Sequence, residues 1–187
     1  MRIVFIGPPG AGKGTQCRRL SVQLGIRHIS SGEMLREAKS NTKIGGLISS
    51  FIDGGNLAPD DLVVQIILDR IRQPDCSEGY LFDGFPRTVV QAELLDQHLH
   101  GMGKALDAVV HLVADQQALI ARLLARAKVE HRVDDTPETI ASRLGVYQRS
   151  TEPVLNHYQQ QGLVRRVDAM GTPDEVFAAI LAALNAE

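Results

Sequence analysis

Short apolar runs and amphipathic stretches alternate along this chain. The first run, Ile3-Val4-Phe5-Ile6, reads as a buried strand, and 13–24 as the helix that follows it. His28-Ile29-Ser30 is a short second strand. Ser31-Gly32-Glu33-Met34 then starts a helix that Ser30 or Ser31 could cap. Short helices carry the chain to Asp53 and end at Gly54-Gly55. Pro59-Asp60 opens a helix with Leu62, Val63, Ile66, Ile67 and Ile71 on one face. Tyr80-Leu81-Phe82-Asp83 is the next strand, 88–99 a helix, and 108–113 a buried strand. A helix from about Gln116 turns Leu119, Leu123 and Leu124 to one side. A polar interval, 128–137, interrupts the pattern. The long helical segment behind it runs to about Gln161, and Pro153 should kink or divide it. The last strand is 163–167. The closing helix is 173–184, with Val176, Phe177, Ile180, Leu181 and Leu184 inward.

This rhythm predicts an α/β fold with a parallel sheet. At 187 residues the chain suits one domain with a sizeable core. Regions 30–58 and 126–136 are polar, contain glycine or lack apolar periodicity, and read as insertions on the face where strands end. Ligands bind on that face of open α/β sheets.

The stretch Gly7-Pro8-Pro9-Gly10-Ala11-Gly12-Lys13-Gly14-Thr15 lies between the first strand and its helix. Strand, glycine-rich turn and helix is the setting of a phosphate-binding P-loop. Glycines let successive backbone N–H groups point at one anion, and the helix adds its positive end. Lys13 adds a full charge. The usual pattern puts Ser or Thr directly after the lysine, whereas here Gly14 intervenes before Thr15.

Asp83 closes an apolar strand, where P-loop proteins often keep a carboxylate for magnesium, directly or through water. A turn or cap aspartate is the alternative. Arg87 follows in the same loop. Arg122 and Arg126 are four apart and share a helix face. Arg132 and Arg143 lie in and behind the polar interval. Singly, each arginine could be a solvated surface residue; gathered at one phosphate site, they would stabilise a transferring phosphoryl group. Asp134 and Asp135 could pair with arginines or cap the helix near Thr136.

Net charge is -2, which gives no bulk attraction to nucleic acid or membrane. Two distant cysteines, Cys17 and Cys76, form neither a disulfide framework nor a zinc pattern and fit a reducing cytoplasm. The six histidines show no metal spacing and no Ser or Cys partner, so they read as structural or solvated, and Cys17 as packing. With no basic leader and no apolar run long enough for a bilayer, the sequence argues against secretion and membrane insertion.

These motifs together resemble the adenylate kinase family. The resemblance rests on Gly7 to Cys17, including the extra glycine, on Ser30 to Arg36, and on Asp83-Gly84-Phe85-Pro86-Arg87-Thr88 with Gln91. It also takes in Arg122, Arg126, Arg132-Val133-Asp134-Asp135, Arg143 and the surroundings of Gly171. It implies reversible phosphoryl transfer from Mg-ATP to AMP, giving two ADP, by a monomeric P-loop NTPase fold. Core segments 1–29, 59–125 and 137–187 would carry an AMP-binding insertion at 30–58 and a lid at 126–136. By position, Gly10, Ala11, Gly12, Lys13, Gly14 and Thr15 would cradle the ATP phosphates. Arg126 and Gly171 would contact ATP from the lid edge and the adenine side. Ser31, Arg36, Asn56, Leu57, Ala58, Gly84, Phe85, Pro86, Arg87 and Gln91 would bind AMP. Arg132 and Arg143 would clamp phosphates, and Asp83 would hold Mg2+ through water. Asn56 stands where many relatives carry lysine. The lid is short and lacks cysteine, so no structural zinc is expected. UMP/CMP kinases share most of the pattern, but Ser31 and Gln91 favour AMP, since a glutamine amide suits an adenine edge. A non-catalytic nucleotide-binding switch is the remaining alternative; no Asn-Lys-x-Asp guanine element is present.

Overall fold

The computed structural model describes residues 1–39, 45–52, 55–129 and 136–185. Strands β1 (Arg2–Ile6), β2 (Arg27–Ser30), β3 (Tyr80–Asp83), β4 (Ala108–Val113) and β5 (Val164–Asp168) form one sheet in the order β2-β3-β1-β4-β5. All pairings are parallel, with Ile3 opposite both Leu81 and Ala108. From β1 the chain moves to β2 on one side, and from β4 to β5 on the other. Connections that part in this way open a crevice at the carboxyl edge of the sheet. Asp83 ends in register with Ser30 on one side and Phe5 on the other, so β1, β2 and β3 finish at one edge.

Alternation along the strands splits the core into two layers. Val4, Ile6, Tyr80 and Phe82 face α4 (Asp60–Ile71), α5 (Val89–Gly101) and α8 (Pro153–Gln159). Ile3, Phe5, Leu81 and Val110 face α1 (Lys13–Leu24), α6 (Gln116–Val129), α7 (Pro137–Val146) and α9 (Pro173–Asn185). The 30–58 region contributes α2 (Ser31–Lys39) and α3 (Gly45–Ile52).

The strand expectations hold to within a residue or two. Several finer expectations need correction. Leu124 is 39% exposed. It sits one residue, about 100° of helix rotation, beyond the Leu119–Leu123 stripe that is buried. Val64 is buried on α4 although the expected face omitted it. Ser30, not Ser31, caps α2, its Oγ accepting from Glu33 N–H at 3.4 Å. Thr136 caps α7 by accepting from Thr139 N–H at 3.2 Å. Asp134 and Asp135, the other expected helix-capping or arginine-pairing residues, lie outside the described residues. Pro153 does divide the long helix. A π-helical turn, Tyr147–Thr151, precedes it, and α8 starts at the proline itself, where its missing N–H costs nothing.

Phe82 packs tilted against Tyr80 at 5.0 Å and edge-on to Phe85 at 5.4 Å, fully buried. Phe82→Ala should lower stability by about 3–5 kcal/mol, measured as a drop in the urea midpoint with unchanged slope.

Candidate active site

Local backbone geometry shapes the P-loop. Gly10 and Gly12 have φ of 85° and 86°, the left-handed region glycine adopts without strain. A Cβ on Gly10 would stand 2.9 Å from the Leu119 carbonyl, and one on Gly7 2.8 Å from the Leu112 carbonyl. Both positions therefore need glycine to let the loop lie against β4 and α6. Gly12 caps α1 with no side chain, and no acidic residue sits in the first turn. The positive end of α1 thus faces the crevice without a built-in counter-charge. Lys13 Nζ folds back over the loop, donating to the Gly7 carbonyl at 2.6 Å and the Pro8 carbonyl at 3.0 Å.

A cavity of about 490 Å3 opens at this edge, within the range of small-molecule sites. Gly10, Gly12, Lys13, Gly14 and Thr15 line it, as do Ser31, Arg36, Asn56, Leu57 and Ala58. Asp83, Gly84, Pro86, Arg87, Gln91, Arg122 and Arg143 complete the set of expected residues found there. Three expected residues are placed elsewhere. Ala11 and Phe85 are buried in the core, and Gly171 is exposed in the loop after β5. Arg122 bridges to that loop, donating to the Ala169 carbonyl at 2.8 Å. The side chain of Arg126 and the whole of Arg132 lie outside the described residues.

The loop after β3 curls on itself. Gly84, at φ 77°, offers its carbonyl to Arg87 Nε and to Ser31 Oγ, both at 2.6 Å. Thr151 Oγ1 donates to the Arg87 carbonyl at 3.0 Å. Burial, together with the nearby charges of Arg143 and Arg36, lowers the pKa of Arg87, while Asp83 opposes that shift. The guanidinium still stays charged, a buried cation at the wall of the cleft.

Asp83 is a carboxylate among these cations, and Glu33 also lines the cleft. Burial pushes its pKa up, but the His28 imidazole beside it and the charges of Lys13 and Arg87 outweigh burial and hold it below the usual range. His28 Nε2 stands 3.6 Å from Asp83 Oδ2, and ligand atoms of Cys17, His28 and Asp83 lie within 4.8 Å of one another. This corrects the reading of His28 as lacking any cysteine neighbour. Sequence spacing gave no hint of it, because His28 reaches Cys17 and Asp83 only through folding. Hard oxygen donors suit Mg2+; ionised Asp83 and the Thr15 hydroxyl, which line one cavity, supply them.

Other site residues were missed from sequence. Arg18 lines the cavity, and Asp60, Thr88 and Thr151 brace its wall. A carboxylate at the start of α4 gives no local signal that it will meet a loop 28 residues on.

A P-loop at the carboxyl edge of a parallel sheet, with lysine and arginines around one cleft, defines a P-loop nucleotide-binding α/β protein. Known proteins narrow this further. The family model described as Adenylate kinase matches residues 5–163. An adenylate kinase of Stenotrophomonas maltophilia is 46% identical over 187 residues, covering all of both chains. One of Rhodopirellula baltica is 49% identical over 185 residues, 99% of this chain and 95% of its own. One of Thermus thermophilus is 44% identical over 184 residues, 98% of this chain and 96% of its own. The chain belongs to the adenylate kinase family.

Asp83 generates a pH prediction. Its folded pKa lies below its unfolded value, so its ionised form stabilises the fold above about pH 4. That contribution is lost as the pH falls through the folded value. Between about pH 5 and pH 3, wild type should lose more stability than Asp83→Asn in urea titrations. Parallel pH profiles would contradict this.

Proposed function

We propose that this chain transfers a phosphoryl group reversibly from Mg-ATP to AMP, giving two ADP. The carrying observation is the gathering of Lys13, Arg36, Arg87, Arg122 and Arg143 around one cleft behind a P-loop. Family membership supports the same reading. A phosphate oxygen of AMP, already ionised at neutral pH, attacks the γ-phosphorus as the bond to the β-phosphate oxygen of ATP breaks. No general base is required, and positioning with charge stabilisation supplies the catalysis.

In this reading, backbone N–H groups of 10–15 and Lys13 hold the ATP phosphates, Arg126 reaches ATP from the edge of the lid, and the backbone near Gly171 contacts the adenine. Ser31, Arg36, residues 56–58, the loop 84–87 and Gln91 hold AMP. Arg132 and Arg143 close on the phosphates. Asp83, through water, and Thr15 would hold the Mg2+ that enters with ATP, and that ion would supply positive charge against the charge developing on the transferring phosphates. Regions 30–58 and 126–136 act as the AMP-binding insertion and the lid, and their closure excludes water from the reaction. The lid needs no zinc. A monomer suffices for this reading, and the chain's two free, buried cysteines suit the cytoplasm. Among the described residues no helix is long and apolar enough to cross a membrane.

The decisive experiment is ADP formation from ATP plus AMP in a coupled assay. Lys13→Met or Arg87→Ala should reduce turnover by at least ~10²-fold, as for loss of one transition-state donor. A near-wild-type rate for either would refute its role. ATP hydrolysis without AMP should stay far below kinase turnover.

A further inference from the structure

Gln91 lies in the cleft wall, 1% exposed, with the two ends of its amide held by partners of opposite character. Oε1 accepts from the Arg87 backbone N–H at 2.7 Å. Nε2 donates to Asp60 Oδ1 at 2.8 Å. A backbone N–H can only donate and an ionised carboxylate can only accept. Thr88 closes the ring, its Oγ1 accepting from Gln91 N–H at 3.1 Å and donating to the same Asp60 oxygen at 3.0 Å. Turning the amide over would set NH2 against N–H and C=O against a carboxylate. Both contacts would be repulsive, and at this burial no water would relieve them. One N–H on Nε2 and one lone pair on Oε1 remain for a ligand in the cleft.

We propose that Asp60 is a positioning residue that sets selectivity for the acceptor base. It locks the Gln91 amide in the polarity that pairs with adenine and mispairs with 6-oxopurines. This rests on the reading of the cleft as the AMP site. Adenine offers an exocyclic amino donor beside a ring-nitrogen acceptor. Hypoxanthine and guanine reverse that order, with a carbonyl acceptor beside an N–H donor. A locked amide complements the first and leaves the second with like facing like. Asp60 supplies the charged half of the lock, the stronger of the two. Without it, only the neutral Arg87 N–H opposes reversal of the amide.

The test is the ratio of kcat/KM for AMP over IMP, with ATP as donor. It is measured for wild type, Asp60→Ala and Asp60→Asn. Asp60→Ala should lower the ratio by about tenfold or more. Asp60→Asn, whose amide oxygen can still accept from Gln91, should restore most of it. Equal losses on both nucleotides, with the ratio unchanged, would show a merely structural role and overturn the proposal. If Asp60→Ala does not fold, Asp60→Ser removes the same carboxylate and is held to the same criterion. A wild-type enzyme that turns over IMP but not AMP would overturn the acceptor assignment, and this proposal with it.

Discussion

Mutual repulsion of cations is the constraint this structure must satisfy. Lys13, Arg18, Arg36, Arg87, Arg122 and Arg143 line one cleft. Two unit charges 4 Å apart at a protein surface repel by ~4 kcal/mol. The Asp83 carboxylate answers part of that repulsion and backbone oxygen another part. Lys13 is held by the Gly7 carbonyl, Arg87 by that of Gly84 and Arg122 by that of Ala169. Each carbonyl belongs to the first residue after a strand, β1, β3 and β5 respectively. A parallel sheet ends all its strands at one edge, so it can deliver several such carbonyls to one place. The architecture and the charge pattern are thus one solution: the sheet supplies the acceptors that let cations assemble before any anion arrives.

Much of this was legible in the sequence because it is locally encoded. A run such as Ile3-Val4-Phe5-Ile6 announces a buried strand whatever surrounds it. The P-loop is likewise local, since its glycines answer nearby needs for left-handed backbone and close approach. Asp83 was legible through its place at the end of an apolar strand. Residues whose role depends on a distant partner were not legible. Asp60 gains its meaning only when α4 meets the loop after β3, and Thr151 only when the π-helical turn reaches the Arg87 carbonyl. Ser31 was expected at the site, but its link to the Gly84 carbonyl depends on the pairing of β2 with β3.

The misreadings share one physical origin. Periodicity placed Leu124 inward and left Val64 out; it fixes direction around a helix but not how wide a stripe its neighbours cover. Phe85 lies in a loop whose other members face the cleft, yet its ring turns inward to meet Phe82. An aromatic ring beside an apolar layer gains more from burial than from a wet, charged cleft. A motif can therefore mark a loop as functional while one of its side chains anchors that loop to the interior.

The posture of Lys13 bears on how an incoming nucleotide is received. Its ammonium already satisfies itself on two oxygens of its own loop. A phosphate that displaces them exchanges bonds rather than adding them, so the tally of contacts stays nearly level. What changes is the acceptor, from a neutral dipole to an anion, and the preference is written in charge. A neutral molecule of the same shape would have nothing to offer in that trade.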